Sequence, residues 1–278
     1  MSASPQVDLS IDPVLVETIL TGFIAEETRR VGRRRVVVGL SGGVDSAVAA
    51  CLARRALGRR GVVAVLMPHR LSHPASARHA RDLARRLGIR IEQFDITPMV
   101  DAYFENDPKA NRLRRGNKMA RERMSILYDR SKAHDALVLG TSNKSELLLG
   151  YGTIHGDMAS SINPIGDLYK TQVRRLASHL DVPRSIRRKT PTADLWPEQT
   201  DEKELGYPYA QLDRLLYLLV DERLSPAAAR RAGWPRRMVE RVVLLMRRSQ
   251  YKRRLPLIAK LSSRTVGIDF RYPRDWGT

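Results

Sequence analysis

The sequence is poor in several features, and each shortage excludes a class of protein. Its 278 residues include a single cysteine, Cys51, so neither an internal disulfide nor a cysteine-rich metal site can form. No apolar run approaches the roughly 18 residues that a membrane-spanning helix requires. Residues 1–12 (MSASPQVDLSID) have neither the basic region nor the apolar core of a secretory leader. We therefore expect a cytoplasmic protein that does not enter a membrane.

Acidic residues are also in short supply. Thirty Asp and Glu stand against 49 Lys and Arg, which gives a formal net charge of +19. Such a chain suits anionic partners, including nucleic acid, acidic lipid and phosphorylated small molecules. However, only nine of the basic residues are lysines, and none precedes Lys109, so a genomic bias toward arginine also accounts for the excess. Because the charges are dispersed along the chain, we expect no nucleic-acid partner.

Hydrophobic patterning divides the first part of the chain into alternating strands and helices. Short apolar runs typical of buried strands occupy residues 36–40, 62–67, 91–96 and 136–139. Helical patterns cover residues 13–31, 44–57, 76–87 and 119–134. This alternation predicts an α/β fold with a doubly wound parallel sheet.

The pattern changes near residue 170 and becomes mainly helical. Helices are predicted at residues 171–180, 209–222 and 235–248, whereas the polar segment 102–115 is predicted to be a loop. We expect one domain over residues 1–278, with an N-terminal helix (1–34), an α/β core (35–170) and a helical C-terminal extension (171–278).

A glycine-rich loop, residues 39–46 (GLSGGVDS), joins the first predicted strand to its helix. Paired glycines let backbone N–H groups approach an oxyanion, and the following helix N-terminus favours phosphate. Ser41 and Ser46 add hydroxyl donors. Asp45 would repel a polyphosphate unless a divalent cation intervened, so we interpret it as a Mg²⁺ ligand. An ordinary turn, with Asp45 as a charge at the helix start, is the alternative. The loop matches neither a Walker A sequence nor a dinucleotide fingerprint.

The SGGVDS segment resembles the pyrophosphate-binding loop of the N-type ATP pyrophosphatases, which cleave ATP to AMP and pyrophosphate. From about residue 35 to the C-terminus, further segments are similar to those of NAD synthetases in that superfamily. They are residues 117–124 (NKMARERM), 139–146 (LGTSNKSE), 156–157 (GD), 163–174 (NPIGDLYKTQVR), 191–196 (PTADLW), 200–206 (TDEKELG) and 251–253 (YKR). The resemblance implies an adenine nucleotide alpha hydrolase-like, Rossmann-like fold.

The resemblance also implies a reaction with ATP and Mg²⁺ in two steps. The nicotinate carboxylate of deamido-NAD attacks the α-phosphate of ATP, which gives an adenylated intermediate and pyrophosphate. Ammonia then displaces AMP and forms the carboxamide of NAD. Such chemistry rests on positioning and charge neutralisation, so no catalytic nucleophile is required.

The roles of individual residues follow from the same resemblance. ATP binding is implied for Gly39, Leu40, Ser41, Gly42, Gly43, Val44, Asp45, Ser46, Thr141, Lys170 and Thr192. Asp45 and Glu146 are implied as the Mg²⁺ ligands. Deamido-NAD is expected at Arg121, Asp157, Tyr251 and Lys252. Taken singly, Glu146 and Lys170 would be solvated charges at helix starts, and Thr192 would be a helix cap.

Three positions depart from the pattern of the family. Ile154, Ser161 and Tyr251 stand where many members carry Lys, Asp and His. These positions are on the side of the dinucleotide, so the departures concern how deamido-NAD is held and not the adenylation of its carboxylate. His155, where an aromatic residue is common, is expected to stack or to support the structure.

The length before the first strand bears on the nitrogen source. About 35 residues leave no room for a glutaminase domain, and Cys51 lies among alanines as a small core residue. We therefore expect ammonia as the donor, either free or delivered by a separate protein. The resemblance implies a homodimer, and the apolar helix over residues 15–31 is either part of the subunit interface or plain core.

Two other functions share part of this signature. A tRNA-modifying ATP pyrophosphatase would use the same loop and a basic surface, and would show salt-dependent tRNA binding. However, thiolating members use a reactive cysteine pair, and lysidine-forming members lack the 163–174 block. An ATP-binding regulatory module would need neither Glu146 nor a second-substrate segment, and it would release no pyrophosphate.

Overall fold

The structure is a computed structural model and describes residues 7–254 and 256–270. The expectation for residues 1–12 and the outer limits of the expected domain fall partly outside these residues. Among the described residues, no helix is both long enough and apolar enough to span a membrane.

Four short strands form one parallel sheet. They are β1 (Val36–Gly39), β2 (Val62–Leu66), β3 (Arg90–Gln93) and β4 (Leu137–Leu139), in the order β3-β2-β1-β4. Val36 pairs with Val62 on one side and with Leu137 on the other, so β1 is central. The chain adds strands on one side of β1 and then returns to the other side. A topological switch point therefore lies at the C-terminal ends of β1 and β4, where open sheets of this kind bind ligands.

Helices make up most of the remaining described chain. They are α1 (Pro13–Arg30), α2 (Val44–Leu57), α3 (Pro74–Leu87), α4 (Thr97–Phe104), α5 (Arg112–His134), α6 (Lys144–Leu149), α7 (Lys170–His179), α8 (Arg184–Arg187), α9 (Asp201–Leu205), α10 (Tyr209–Val220), α11 (Pro226–Arg231) and α12 (Arg236–Arg248).

The sheet is covered on both faces, which confirms the predicted doubly wound α/β fold. Val36 and Val38 of β1 pack in one apolar cluster with α1, α2, α3 and α7. Val37, between them, points to the opposite face and packs with α4 and α5. This alternation explains why β1 reads as a continuous apolar run.

Helix α2 is the most buried helix against the sheet. Its alanines at positions 47, 49, 50 and 53 are fully buried, and their small size allows close packing. Cys51, 4% exposed, is a core residue as predicted, and burial raises the pKa of its thiol to about 11.

Helix α1 divides its apolar residues between core and solvent. Ile24 is fully buried, and Val16, Leu20 and Phe23 pack beside it. On its other sides Val14, Leu15 and Ile19 are each more than half exposed, as is Val31 at the C-cap. The expected choice between core and interface therefore does not apply to the helix as a whole, since one stripe is core and its other apolar residues are uncovered.

A second apolar cluster forms beyond the sheet from α6, α9, α10, α11 and α12. Tyr209, Leu212 and Leu216 of α10 are fully buried there. The predicted helical extension is therefore packed as its own layer, and α10 contacts both α6 and α7.

The prediction of a loop over residues 102–115 is correct for residues 105–111 and wrong at both ends. Helix α4 ends inside this segment, and α5 begins at Arg112, where the side chain of Asn111 accepts a hydrogen bond from the N–H of Arg114 at 3.0 Å. The start of α5 has no apolar stripe, because Arg115 packs its guanidinium 4.6 Å from the ring of Phe104 instead. A helix stabilised in this way leaves little hydrophobic periodicity in the sequence.

The sequence pattern also misses the short helices α6, α8, α9 and α11. Each has four to six residues, which is too short for a helical period to be recognised. The third strand is shorter than predicted and ends at Gln93 rather than at Ile96. The backbone N–H of Phe94 nevertheless donates to the carbonyl of Leu66 at 2.9 Å.

Candidate active site

A cavity of about 850 Å³ opens at the C-terminal edge of the sheet. Its walls come from the ends of β1 and β4, from α5, and from the segments around residues 150–157, 189–205 and 251–252. All but one of the residues assigned to the site from the sequence line it. They are Gly39, Leu40, Ser41, Gly43, Val44, Asp45, Ser46, Arg121, Thr141, Glu146, Asp157, Lys170, Thr192, Tyr251 and Lys252.

The glycine-rich loop leaves the N-terminus of α2 open toward the cavity. Gly43 is the N-cap of α2 and makes no side-chain capping bond, so the first-turn N–H groups are available to an anion. The two serines shape the turn, since their hydroxyl oxygens lie 3.1 Å apart and Ser46 Oγ donates to the carbonyl of Gly43 at 3.1 Å. This geometry suits a phosphate chain.

Within the glycine-rich loop, Gly42 faces α3 and does not line the cavity. Its φ of +76° falls in the left-handed region, and a Cβ there would stand 2.3 Å from the carbonyl oxygen of Ser76 at the start of α3. Both the conformation and the contact therefore require glycine.

A buried ion cluster lies next to the loop. The ammonium of Lys170, at the start of α7, is 2.6 Å from Asp45 Oδ2 and 2.9 Å from Glu146 Oε1. Lys170 is only 3% exposed, and its Nζ also lies 5.2 Å from the centre of the Tyr209 ring. The alternative of a solvated charge is therefore wrong for Lys170.

Burial and neighbouring charges set the pKa values of this cluster. Burial raises the pKa of Glu146 to about 8; the carboxylate of Asp45 adds to this rise, and Lys170 opposes it. For Lys170, burial works against the ammonium, but the carboxylates of Asp45 and Glu146 outweigh burial and raise its pKa. Lys170 therefore stays charged, and Glu146 is the member of the cluster that can hold a proton near neutrality.

Glu146 also caps its own helix. Its Oε2 accepts from the backbone N–H of Asn143 at 3.2 Å, while Asn143 Oδ1 accepts from the N–H of Glu146 at 3.0 Å. Asn143 Nδ2 donates to Asp45 Oδ1 at 2.9 Å. One oxygen of Glu146 therefore serves at the helix start, as the alternative interpretation expected, whereas the other oxygen faces the ammonium of Lys170.

The donor set at the cluster fits a divalent cation. Asp45 and Glu146 each direct one oxygen to the same cationic point, now held by the Lys170 ammonium, and carboxylate pairs are Mg²⁺ ligands. Among the described residues, no group of three or more His, Cys, Asp or Glu side chains could hold a metal ion. A Mg²⁺ ion bound here would therefore need substrate phosphate and water to complete its shell.

The far end of the cavity carries the other predicted residues. The side chain of Asp157 is exposed to the open cavity, and desolvation by the surrounding walls raises the pKa of its carboxyl. Its Oδ1 accepts from the N–H of Thr153 at 2.7 Å. Lys252 donates to the carbonyls of Gly150 and Gly152 at 2.8 and 2.7 Å, and burial lowers its pKa. Arg121 and Tyr251 are exposed on the rim.

The remaining predicted positions differ in their placement. Ile154 lines the cavity, whereas Ser161 does not and bonds instead to β4, where its hydroxyl accepts from the N–H of Val138 at 3.2 Å. Thr192 caps no helix in the described chain; its hydroxyl accepts from the N–H of Asp194 at 3.0 Å within the cavity wall. His155 has a φ of +56°, is exposed and does not line the cavity.

Several polar side chains that the sequence did not single out also belong to this region. Arg123 of α5 donates from Nε to the carbonyl of Met67 at 3.1 Å and lines the cavity. Asp201 accepts from the hydroxyl of Tyr209 at 3.2 Å, and its burial raises its pKa. All three lie in segments that resemble those of the family, and Asn143 also has a local signal, since Asn followed by Glu three residues later is a capping-box pattern.

Comparisons with known proteins agree over the whole site. The NAD synthase family model matches residues 16–256. The NH(3)-dependent NAD(+) synthetase of Trichlorobacter lovleyi is 53% identical over 269 residues, which cover 97% of this chain and 98% of that protein. The structure of NMN synthetase from Francisella tularensis has a TM-score of 0.80 at 32% identity and covers 91% of this chain and 100% of that one. An NH3-dependent NAD synthetase from Campylobacter jejuni has a TM-score of 0.77 at 33% identity, with 90% and 100% covered. The range matched by the family model thus spans the segments that carry the glycine-rich loop, the ion cluster and most of the helical extension.

Proposed function

The chain belongs to the NAD synthase family, and on this premise we propose which residues carry its reaction. It is an ammonia-dependent carbon–nitrogen ligase that amidates deamido-NAD to NAD at the expense of ATP, with release of AMP and pyrophosphate. The observation that best supports the assignment of residues is the meeting of Asp45, Glu146 and Lys170 beside the glycine-rich loop, in one cavity with Asp157 and Lys252.

In the first step, an oxygen of the nicotinate carboxylate attacks the α-phosphorus of ATP. The bond from that phosphorus to the bridging oxygen breaks, and pyrophosphate leaves with the electron pair. The N–H groups at the start of α2 hold the leaving phosphates, and Lys170 neutralises their charge. Thr141 and Thr192 contact ATP from the cavity wall.

Asp45 and Glu146 are the residues that would hold Mg²⁺. The ion supplies charge neutralisation on the phosphates. Lys170 must then turn its ammonium from the carboxylates toward phosphate, a short movement because all three side chains meet at one point. Asn143 keeps Asp45 in place through its bond to Oδ1.

In the second step, the nitrogen of ammonia attacks the acyl carbon of the adenylate. The bond from this carbon to the phosphate oxygen breaks, AMP leaves with the electron pair, and the nitrogen loses one proton to solvent to give the amide. No side-chain nucleophile takes part. Asp157 lies near the nicotinate end, while Arg121, Tyr251 and Lys252 hold the dinucleotide.

We further propose that the chain works as one domain, as a cytoplasmic homodimer and without a nucleic-acid partner. The exposed apolar residues of α1, Val14, Leu15 and Ile19, support a subunit contact on that helix. Size-exclusion chromatography with light scattering tests the dimer, and Ile19→Glu should shift it toward monomer.

Nicotinate mononucleotide is a second candidate substrate for the same amidation. The Francisella relative is described as an NMN synthetase, and Ile154, which lines the cavity, stands where many family members carry Lys on the dinucleotide side. The 53% identical relative, an NAD synthetase, favours deamido-NAD.

The decisive test is a product assay with ATP, Mg²⁺ and either deamido-NAD or nicotinate mononucleotide, with ammonium or glutamine as nitrogen donor. We expect NAD, AMP and pyrophosphate in equal amounts from deamido-NAD with ammonium, and little product with glutamine. Faster turnover of the mononucleotide would reassign the substrate. Pyrophosphate release that ignores both acids would contradict the amidation, and tRNA would then be tested as substrate.

A further inference from the structure

Helix α10 carries a fully buried carboxylate that touches two other helices. Asp213 Oδ1 accepts from the hydroxyl of Ser145 at 2.5 Å, and Oδ2 accepts from the backbone N–H of Thr171 at 2.8 Å. Ser145 belongs to the first turn of α6, and Thr171 belongs to the first turn of α7. One side chain therefore ties together the starts of both helices.

Ser145 adds a direct hydrogen bond between the starts of α6 and α7. Its hydroxyl oxygen accepts from the backbone N–H of Lys170 at 2.9 Å while its proton goes to Asp213. Each bonded residue is next in sequence to a member of the ion cluster, Ser145 to Glu146 and Thr171 to Lys170. The bonds to Asp213 thus fix the backbone from which both cluster side chains project.

The bond between Asp213 and Ser145 is buried away from the cavity. Asp213 and Ser145 are both fully buried, and neither they nor Thr171 line the cavity. A carboxylate here faces the positive N-terminal end of the ten-residue helix α7, and its bonds offset the desolvation that raises its pKa. Asp213 therefore has no access to substrate and can act only through the residues that it holds.

The second acidic residue of α10 contacts the same segments in another way. Asp221, at the C-cap, bonds the side chains of Lys144 at 2.7 Å and Tyr169 at 2.5 Å. Those bonds are near the surface and join side chains to side chains. Asp213 instead accepts directly from the backbone N–H of Thr171 in α7, and it is linked through Ser145 to the backbone N–H of Lys170. Of the two acidic residues, Asp213 is the one connected to the backbone of the site.

We propose that Asp213 is a positioning residue that sets α6 and α7 so that Glu146 and Lys170 meet at the phosphate end of the cavity. This inference rests on the proposed function for its turnover assay but not for its ATP-binding assay. Asp213 bonds residues at the N-terminal ends of α6 and α7, whereas Lys252 bonds the carbonyl of Gly150 at the C-terminal end of α6. The effect should therefore fall more on ATP than on deamido-NAD.

The test compares Asp213→Asn and Ser145→Ala with the wild type by calorimetric titration of ATP in excess Mg²⁺ and by steady-state kinetics. Asparagine keeps the shape but cannot accept both bonds. We expect ATP affinity and kcat each to fall about tenfold or more, as for other residues that orient metal ligands, with the KM for deamido-NAD changed less than about twofold. Both residues take part in the Ser145–Asp213 bond, so the double variant should be less impaired than the sum of the two single variants predicts.

Glu92→Gln is the matched control, because Glu92 is a largely buried carboxylate that bonds Arg130 and His134 at the far edge of the sheet. It should lower the melting temperature by a similar amount and leave ATP affinity unchanged. Wild-type ATP affinity and kcat in Asp213→Asn would overturn the proposal. The proposal would also be overturned if the activity of Asp213→Asn fell only in proportion to its unfolded fraction while the folded protein bound ATP as tightly as the wild type. If Asp213→Asn does not fold, Ser145→Ala decides by the same readouts. If the wild type binds ATP but forms no NAD, the proposed function fails while the ATP comparison still decides Asp213.

Discussion

Lys170 Nζ lies 2.6 Å from Asp45 Oδ2, although 125 residues separate the two in the sequence. The contact joins the glycine-rich loop at the end of β1 to the start of α7 in the region after the sheet. Glu146, from the helix after β4, completes the cluster on the same ammonium. This contact between distant segments is the basis for the predictions that follow.

Removing either carboxylate should stop the chemistry. We expect Asp45→Asn and Glu146→Gln to lower pyrophosphate release by about 10²-fold or more, the usual loss when one group that stabilises transition-state charge is removed. A coupled pyrophosphate assay measures this, with circular dichroism to verify folding. Normal turnover in either folded variant would remove that carboxylate from the metal role.

Removing the ammonium of Lys170 should make the stability of the folded protein depend on a divalent metal ion. In Lys170→Met, Asp45 and Glu146 face each other without a counter-ion, and unpairing a buried charge costs about 3–5 kcal/mol of unfolding free energy. A divalent cation should recover part of this loss. Melting temperatures in EDTA and in Mg²⁺ should differ more for Lys170→Met than for the wild type. Lys144→Met, which removes a more exposed ion pair to Asp221, is the control. Equal Mg²⁺ dependence in all three proteins would contradict the shared point of coordination.

Binding of ATP with Mg²⁺ should release a proton near neutral pH. Burial raises the pKa of Glu146 to about 8, so its carboxyl is protonated below that pH, and a metal ligand must be ionised. Calorimetry in buffers of different ionisation enthalpy should show proton release at pH 7 that disappears by pH 9.5. In Glu146→Gln this pH-dependent release should be absent. Release of the same size at both pH values would indicate another group.

Gly42 should tolerate no side chain. Gly42→Ala adds a Cβ that would stand 2.3 Å from the Ser76 carbonyl oxygen, and strained backbone alone costs about 1–3 kcal/mol. Gly88→Ala is the matched control, because Gly88 has a φ of +63° but open space around its Cβ. Chemical denaturation should give a larger loss for Gly42→Ala, and this variant alone should bind ATP more weakly. Equal losses would mean that the loop can move away from α3.

Cys51 should report on unfolding. Its thiol is 4% exposed, and burial raises its pKa to about 11, so almost no thiolate exists at pH 8. We expect a thiol reagent to label native protein at least about 100-fold more slowly than protein in denaturant. Spectrophotometric labelling measures both rates. Rapid labelling of the native protein would show that α2 opens locally.

The sequence by itself determined much of this protein. Runs of β-branched residues and the Gly42–Gly43 turn required buried parallel strands and a phosphate-type loop, because these properties are local. The motif residues named from the resemblance all line one cavity except Gly42, which supports the loop from below. The α5 start at Arg112 and the short helix α6 escaped prediction, since their stability comes from cation–π packing and capping bonds.

Only the tertiary structure decided how distant charges combine. Glu146, Lys170 and Asp213 each look like ordinary polar residues of helices, and no spacing rule connects them. Packing of α10 against α6 and α7 buries Lys170 and Asp213 and leaves the side chain of Glu146 only 16% exposed, at the cavity. A charged group that is removed from water must have a partner. The fold, rather than any local pattern, therefore decides that Glu146 faces Lys170 and that Asp213 bonds the start of α7.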